Sequence, residues 1–172
     1  SMTQNGLLVF IPLYLANVLE AGPLILGASL MVMQSMGLIA GPMAGVLSDT
    51  IGRRSIVLIG LLITTIITVI LGIIPNLVFY ILAIAILGFS LFAVRPVIHS
   101  WLMDLTPKNL GGSATSLLFA TQSALSAIIP LGGGIIADLW GLSIVFYLLA
   151  VFIFLATILV VFIPDKILEA DV

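Results

Sequence analysis

Few side chains in this sequence could do chemistry. Arg95 and His99 stand four apart, so on a helix they share one face. Arg95 lies nine residues before Asp104, roughly 13 Å of helix rise from the end of its apolar run. A charge at that depth costs about 2.5–3.5 kcal/mol on insertion scales, so it needs a cavity, a partner or a route to the interface. No Asp or Glu lies inside any apolar run. The counter-charge is therefore a substrate anion, a carboxylate from another segment, or the interface reached by snorkelling. Cavity lining is the reading taken here, which favours an anionic substrate or coupling group. Pro96 follows directly and is expected to bend its helix or free a carbonyl. His99 is of the residue type that titrates near neutrality and could relay protons. The preferred reading is plainer, a neutral ring bonded to a carbonyl or a neighbouring helix. Gln34, Ser35, Gln122, Ser123 and Ser126 also lie inside apolar runs, mostly as interhelical hydrogen-bonding groups. Gln34 and Gln122, 88 positions apart, are candidates for equivalent cavity-facing positions.

A second cluster is Gly45-Val46-Leu47-Ser48-Asp49-Thr50-Ile51-Gly52-Arg53-Arg54, which packs one acid, two bases and two glycines into ten residues. It is too charged for lipid and is read as a turn holding two helices at one membrane face. Asp49 at a helix end could face the positive N-terminus of another helix. The arginines also serve topology, which an acid does little to set.

Composition fixes the setting for both clusters. Of 172 residues, 62% are hydrophobic and 7% charged, against about 25% charged in a soluble domain. The chain is read as an all-α integral membrane protein in the lipid bilayer. A net charge of −2 argues against a nucleic-acid partner. No cysteine and a single histidine leave no metal site and imply no cofactor. Without an embedded acid pair or a serine–histidine–acid set, no catalytic residues are assigned and an enzyme is the least favoured class.

Apolar runs fall at about 7–18, 23–48, 55–74, 77–103, 110–137 and 142–163. A span needs about 20 residues, so five are read as full helices and the first as short, tilted or truncated. Arg53, Arg54, Lys108 and Lys166 all fall on one side of the alternating turns, and the other side has neither Lys nor Arg. The positive-inside rule makes the first side cytoplasmic, together with the tail 165–172. Gly37, Gly41 and Gly45 form a small-residue stripe expected to let helix backbones approach, and Ser113, Ala120, Ala124, Ala127 and Gly134 form another. Trp101 and Trp140 are read as interface anchors.

The sequence also echoes itself. Gly45 to Gly52 and Gly134 to Gly141 keep the pattern G-x-x-small-D-x-x-G, 89 positions apart, as do Ile74-Pro75 and Ile163-Pro164. A duplicated three-helix unit is expected, with repeats at approximately 1–75 and 77–164 within one domain, 1–172. Three spans separate the copies, so the repeats are inverted.

The Gly45–Arg54 segment resembles the signature loop of the major facilitator superfamily, G-x-L-a-D-r-x-G-r-R. Gly45, Leu47, Asp49, Gly52, Arg53 and Arg54 match, while Thr50 stands where a basic residue is usual. The chain also resembles the family at Asp104-Leu105-Thr106-Pro107. Pro130, Gly133 and Gly134 resemble part of the fifth-helix motif of drug–proton antiporters, although Leu125 and Ile129 replace two glycines of that motif. The resemblance implies a six-helix half of a transporter in the plasma (inner) membrane. The signature loop would gate the cytoplasmic side, and proton-coupled efflux of drugs or metabolites would occur by alternating access. Organic anion or sugar uptake is the alternative substrate class. The short first span fits a C-terminal half better than an N-terminal half or an independent six-helix protein. Expected partners are a small-molecule substrate, protons, and a complementary half or a second copy of the chain. The rival class is a non-transporting fragment or subunit.

Overall fold

A computed structural model describes residues 2–107 and 110–163, so Lys108, Pro164, Lys166 and the tail lie outside the described residues. The fold is six helices: α1 (Met2–Asn17), α2 (Pro23–Ile51), α3 (Arg53–Leu71), α4 (Leu77–Asp104), α5 (Gly111–Trp140) and α6 (Leu142–Phe162). The last five are long and apolar enough to cross a membrane. Their backbone polar groups are satisfied within each helix, which lipid requires.

The first helix corrects the expected run of 7–18. It starts at Met2 and takes in Thr3, Gln4 and Asn5. Apolar content could not reveal this turn, because its polar side chains are satisfied or covered by neighbouring helices. With 16 residues, α1 rises about 24 Å.

Two junctions, α2–α3 and α5–α6, are shorter than the sequence reading expected. The segment from Gly45 to Ile51 continues α2, and the turn is Gly52 alone. Gly52 has φ 101° and donates its N–H to Ser48 O at 3.1 Å. Gly141 does the same between α5 and α6, with φ 90° and a bond to Ala137 O at 2.9 Å. Without a Cβ, glycine enters this region at no steric cost, and the chain reverses in one residue. Elsewhere Pro23 opens α2 as a first-turn proline. Asn76 caps α4, its Oδ1 accepting from Val78 N–H at 2.9 Å.

Helices α2, α3 and α4 pack together, as do α5, α6 and α1, and α3 against α6 joins the two groups. Thus α1 packs chiefly on α5 and α6, although α2 follows it in sequence. Exchanging α1 with α4, α2 with α5 and α3 with α6 carries the packed pairs of one group onto those of the other, and α3–α6 onto itself. Two apolar grooves follow the same exchange. One is lined by Met43, Ala44, Leu47, Ile56, Ile59, Gly60 and Ile63. The other is lined by Gly132, Gly133, Ile136, Val145, Leu148, Leu149 and Phe152, each 89 positions further on.

The larger core cluster joins α1, α4 and α6 around Tyr14. That ring stacks on Tyr80 at 5.1 Å and meets Phe146 edge-on at 5.4 Å. A second cluster gathers Ala40, Ala44, Val57, Val94 and Val97 around Trp101. Trp101 is therefore a core residue at 7% exposure, and the anchor reading is corrected. The apolar run had masked which face of α4 it occupies. Trp140 is exposed at the end of α5. Buried Thr64, Thr68 and Thr157 hydroxyls donate to the carbonyl four residues back, so they carry no unmet polarity.

The small-residue stripes are only partly used. A Cβ at Gly37 would lie 2.6 Å from the Phe92 ring, whereas Gly41, Gly45 and Gly134 face open space. The tightest α2–α4 approach is instead at Gly88, where a Cβ would collide with the Met33 carbonyl. Gly133 is filled by the Phe10 ring. Helices α4 and α5 run through Pro96 and Pro130 without interruption.

Candidate functional site

A cleft opens between every helix except α2. Its polar lining is Thr3 and Gln4 from α1, Thr64 from α3, Arg95 and His99 from α4, and Gln122 from α5. Leu61, Leu91, Val94, Ile98, Leu118 and Ile153 complete the walls. It holds about 590 Å³ of empty space, including its open mouth.

The structure thus brings together three of the four sequence candidates. Arg95, His99 and Gln122 share the cleft. Gln34 does not join them. It is exposed in a separate shallow groove with Met31, Ser35, Leu38 and Phe92. Its 88-residue offset from Gln122 falls one short of the repeat offset, and one residue turns a helix by about 100°.

Gln4 and Thr3 were missed in the sequence, because they precede the apolar run. Gln4 is only 4% exposed. Its amide lines the cleft and makes no hydrogen bond to any described residue. Next to it, Asn5 Nδ2 donates to Ser126 Oγ at 2.6 Å. Ser126 in turn donates to the Gln122 carbonyl at 2.7 Å. This relay joins α1 to α5, the helices that carry Gln4 and Gln122 into the cleft lining.

Arg95 is exposed and makes no ion pair among the described residues. His99 packs its ring on Phe119, centroids 5.3 Å apart. The cleft therefore presents one positive charge, one imidazole and amide groups against aliphatic walls. Such a surface can hold a small amphiphile by charge-assisted hydrogen bonds at one end and burial at the other.

A second constellation lies where α2, α4 and α6 end and α3 begins. Arg53 Nε meets Asp104 Oδ2 at 2.8 Å, and its other branch is 3.8 Å from Asp49 Oδ1. Arg54 donates to the Val161 carbonyl in the last turn of α6. Thr50 Oγ1 donates to Leu47 O at 3.0 Å within its own helix. Asp104 is a partner that sequence reasoning noted only as the end of a helix. Its separation of 51 positions from Arg53 left no local signal.

Comparison with known proteins gives the family. The profile of the Major Facilitator Superfamily matches residues 1–170. The "Multidrug resistance protein MdtG" of Proteus mirabilis is 31% identical over 157 residues, which is 89% of this chain and 39% of that protein. Its namesake in Klebsiella pneumoniae is 29% identical over 124 residues, 72% of this chain and 30% of that one. The "Multi-drug resistance efflux pump PmrA" of Streptococcus pneumoniae is 31% identical over 120 residues, 70% of this chain and 30% of the pump. The chain spans well under half the length of these relatives. With its multiple apolar spans, this multi-pass membrane chain belongs to the major facilitator superfamily, a family of transporters and not of enzymes.

Proposed function

We propose that this chain is a six-helix half of a secondary transporter that moves a small molecule by alternating access. The observation that carries the reading is the polar cleft within an otherwise apolar bundle, with Arg95 unpaired by any described acid. An unpaired charge deep in a span is costly unless it faces water, ligand or a partner. A complementary six-helix half would close the open side and complete the path. Assembly as a homodimer is less favoured, because it would set two Arg95 charges against one cavity. Efflux is the favoured direction, by similarity to the multi-drug resistance efflux pump PmrA. His99 is the one described side chain in the cleft that could carry a coupling proton.

The two-repeat architecture is supported by three independent features. The breaks at Gly52 and Gly141 share one backbone conformation. The helix pairings survive the exchange of the two halves. Seven of the ten lining residues of each groove correspond at an offset of 89. Inverted repeats rocking about a central site are a common transporter design. In this reading Asp49, Arg53, Arg54 and Asp104 hold one end closed, and Gly52 supplies the turn that brings α2 and α3 together there, while Gly45 faces open space. Arg53 and Arg54 favour a cytoplasmic position for that end in the plasma membrane.

The test is to purify the native complex in detergent, identify its subunits by mass spectrometry, and measure transport by Arg95→Ala in reconstituted vesicles. A second six-helix segment in the complex and loss of transport in the variant are expected. A lone chain without transport would overturn the reading.

A further inference from the structure

The cleft has a chemical polarity that narrows what it can take. Among the described residues Arg95 and His99 are its only ionisable side chains, and no carboxylate lines it. The described acids, Glu20, Asp49, Asp104 and Asp138, lie at helix ends or between helices. An organic cation would meet Arg95 with nothing to balance either charge. An anion meets a planar guanidinium, whose fork matches a carboxylate or a similar oxyanion.

The second observation is Gln4. Its residue is 4% exposed, lines the cleft and has no side-chain hydrogen-bond partner among the described residues. The side chain is largely covered but its amide is open to the cleft, so a ligand there can take up its hydrogen bonds. Its N–H groups are donors that an oxyanion would satisfy alongside Arg95. Gln122 adds another amide to the same lining. The remaining wall is Leu61, Leu91, Val94, Ile98, Leu118 and Ile153, which would cover an apolar body. With one permanent positive charge available, a single negative charge on the ligand is balanced in a low-dielectric site.

We propose that the cleft binds organic monoanions with an apolar body, the oxyanion held by Arg95 and the Gln4 amide. This rests on the cleft being the substrate site. It goes beyond that reading in excluding cations and neutral compounds as preferred ligands.

The test uses three probes with one ring system: 1-naphthoate, neutral 1-naphthamide and cationic 1-naphthylmethylammonium. Binding is measured calorimetrically to the purified protein in lipid nanodiscs. Naphthoate should bind about tenfold or more tighter than the other two. Arg95→Gln should lose about tenfold or more of naphthoate affinity, Arg95→Lys should lose less, and Gln4→Leu should lose a few-fold. Thermal unfolding of Arg95→Gln at the parent temperature serves as the folding control. Equal or tighter binding of the amide or the ammonium overturns the class assignment and leaves the cleft as substrate site intact. So does naphthoate binding that is indifferent to Arg95→Gln. Binding of none of the three overturns both.

Discussion

Arg53 and Asp104 pair at 2.8 Å, each at the end of its helix where its charge is disfavoured. A base at the start of α3 and an acid at the end of α4 both oppose the helix macrodipole. Neither serves its own helix, so the pair is best explained by what it joins. A double-mutant cycle on Arg53→Ala and Asp104→Ala should return a coupling of about 0.5–1 kcal/mol, because both groups are partly exposed. Exchanging the charges, Arg53→Asp with Asp104→Arg, should restore thermal stability to the parent level or above. Denaturation in detergent measures both.

The junction glycines should behave as a matched pair. Their φ values of 101° and 90° lie where residues with a Cβ are strained. Gly52→Ala and Gly141→Ala should each cost about 1–3 kcal/mol. Gly41→Ala and Gly45→Ala meet open space inside a helix, so they should be neutral or stabilise by up to about 1 kcal/mol. Thermal unfolding of the four variants side by side decides this. Equal effects would contradict the assigned conformations.

Helix α2 sits against α4 through a glycine with no spare room. Gly88→Ala places a methyl group on the Met33 carbonyl, which is backbone and cannot rotate away. A loss of about 1–3 kcal/mol is expected. Gly37→Ala meets only the Phe92 ring, which can give way, and should cost less.

The Asn5–Ser126 bond should be worth what interhelical bonds in membranes usually are. Asn5→Ala or Ser126→Ala should cost about 0.6–1.7 kcal/mol, and the double variant little more than either alone. If the relay positions the helices that carry Gln4 and Gln122, each variant should also weaken ligand binding. A stability loss without that second effect would leave the bond a fastening only.

The spans, the signature loop and the cleft arginine were legible because hydropathy and charge mark them directly. The five long helices follow from apolar runs, and Gly52 from its motif. What stayed hidden depended on packing. Gln4 belongs to a polar turn that only tertiary contact makes helical and buried. Asp104 meets Arg53 across 51 positions. Trp101 turned inward on a helix apolar all round, where the pattern cannot tell core from lipid. Gln34 was separated from Gln122 by one residue of register, and helical geometry makes that decisive.

The central claim, a water-filled cleft that receives substrate at Arg95, has a direct test because the chain contains no cysteine. His99→Cys, Gln122→Cys and the core control Thr68→Cys would be labelled in native membranes with a charged, membrane-impermeant thiol reagent. The account predicts that the two cleft positions react, that Thr68→Cys does not, and that 1-naphthoate slows the reaction at His99→Cys. Cleft positions as inert as Thr68→Cys would contradict it.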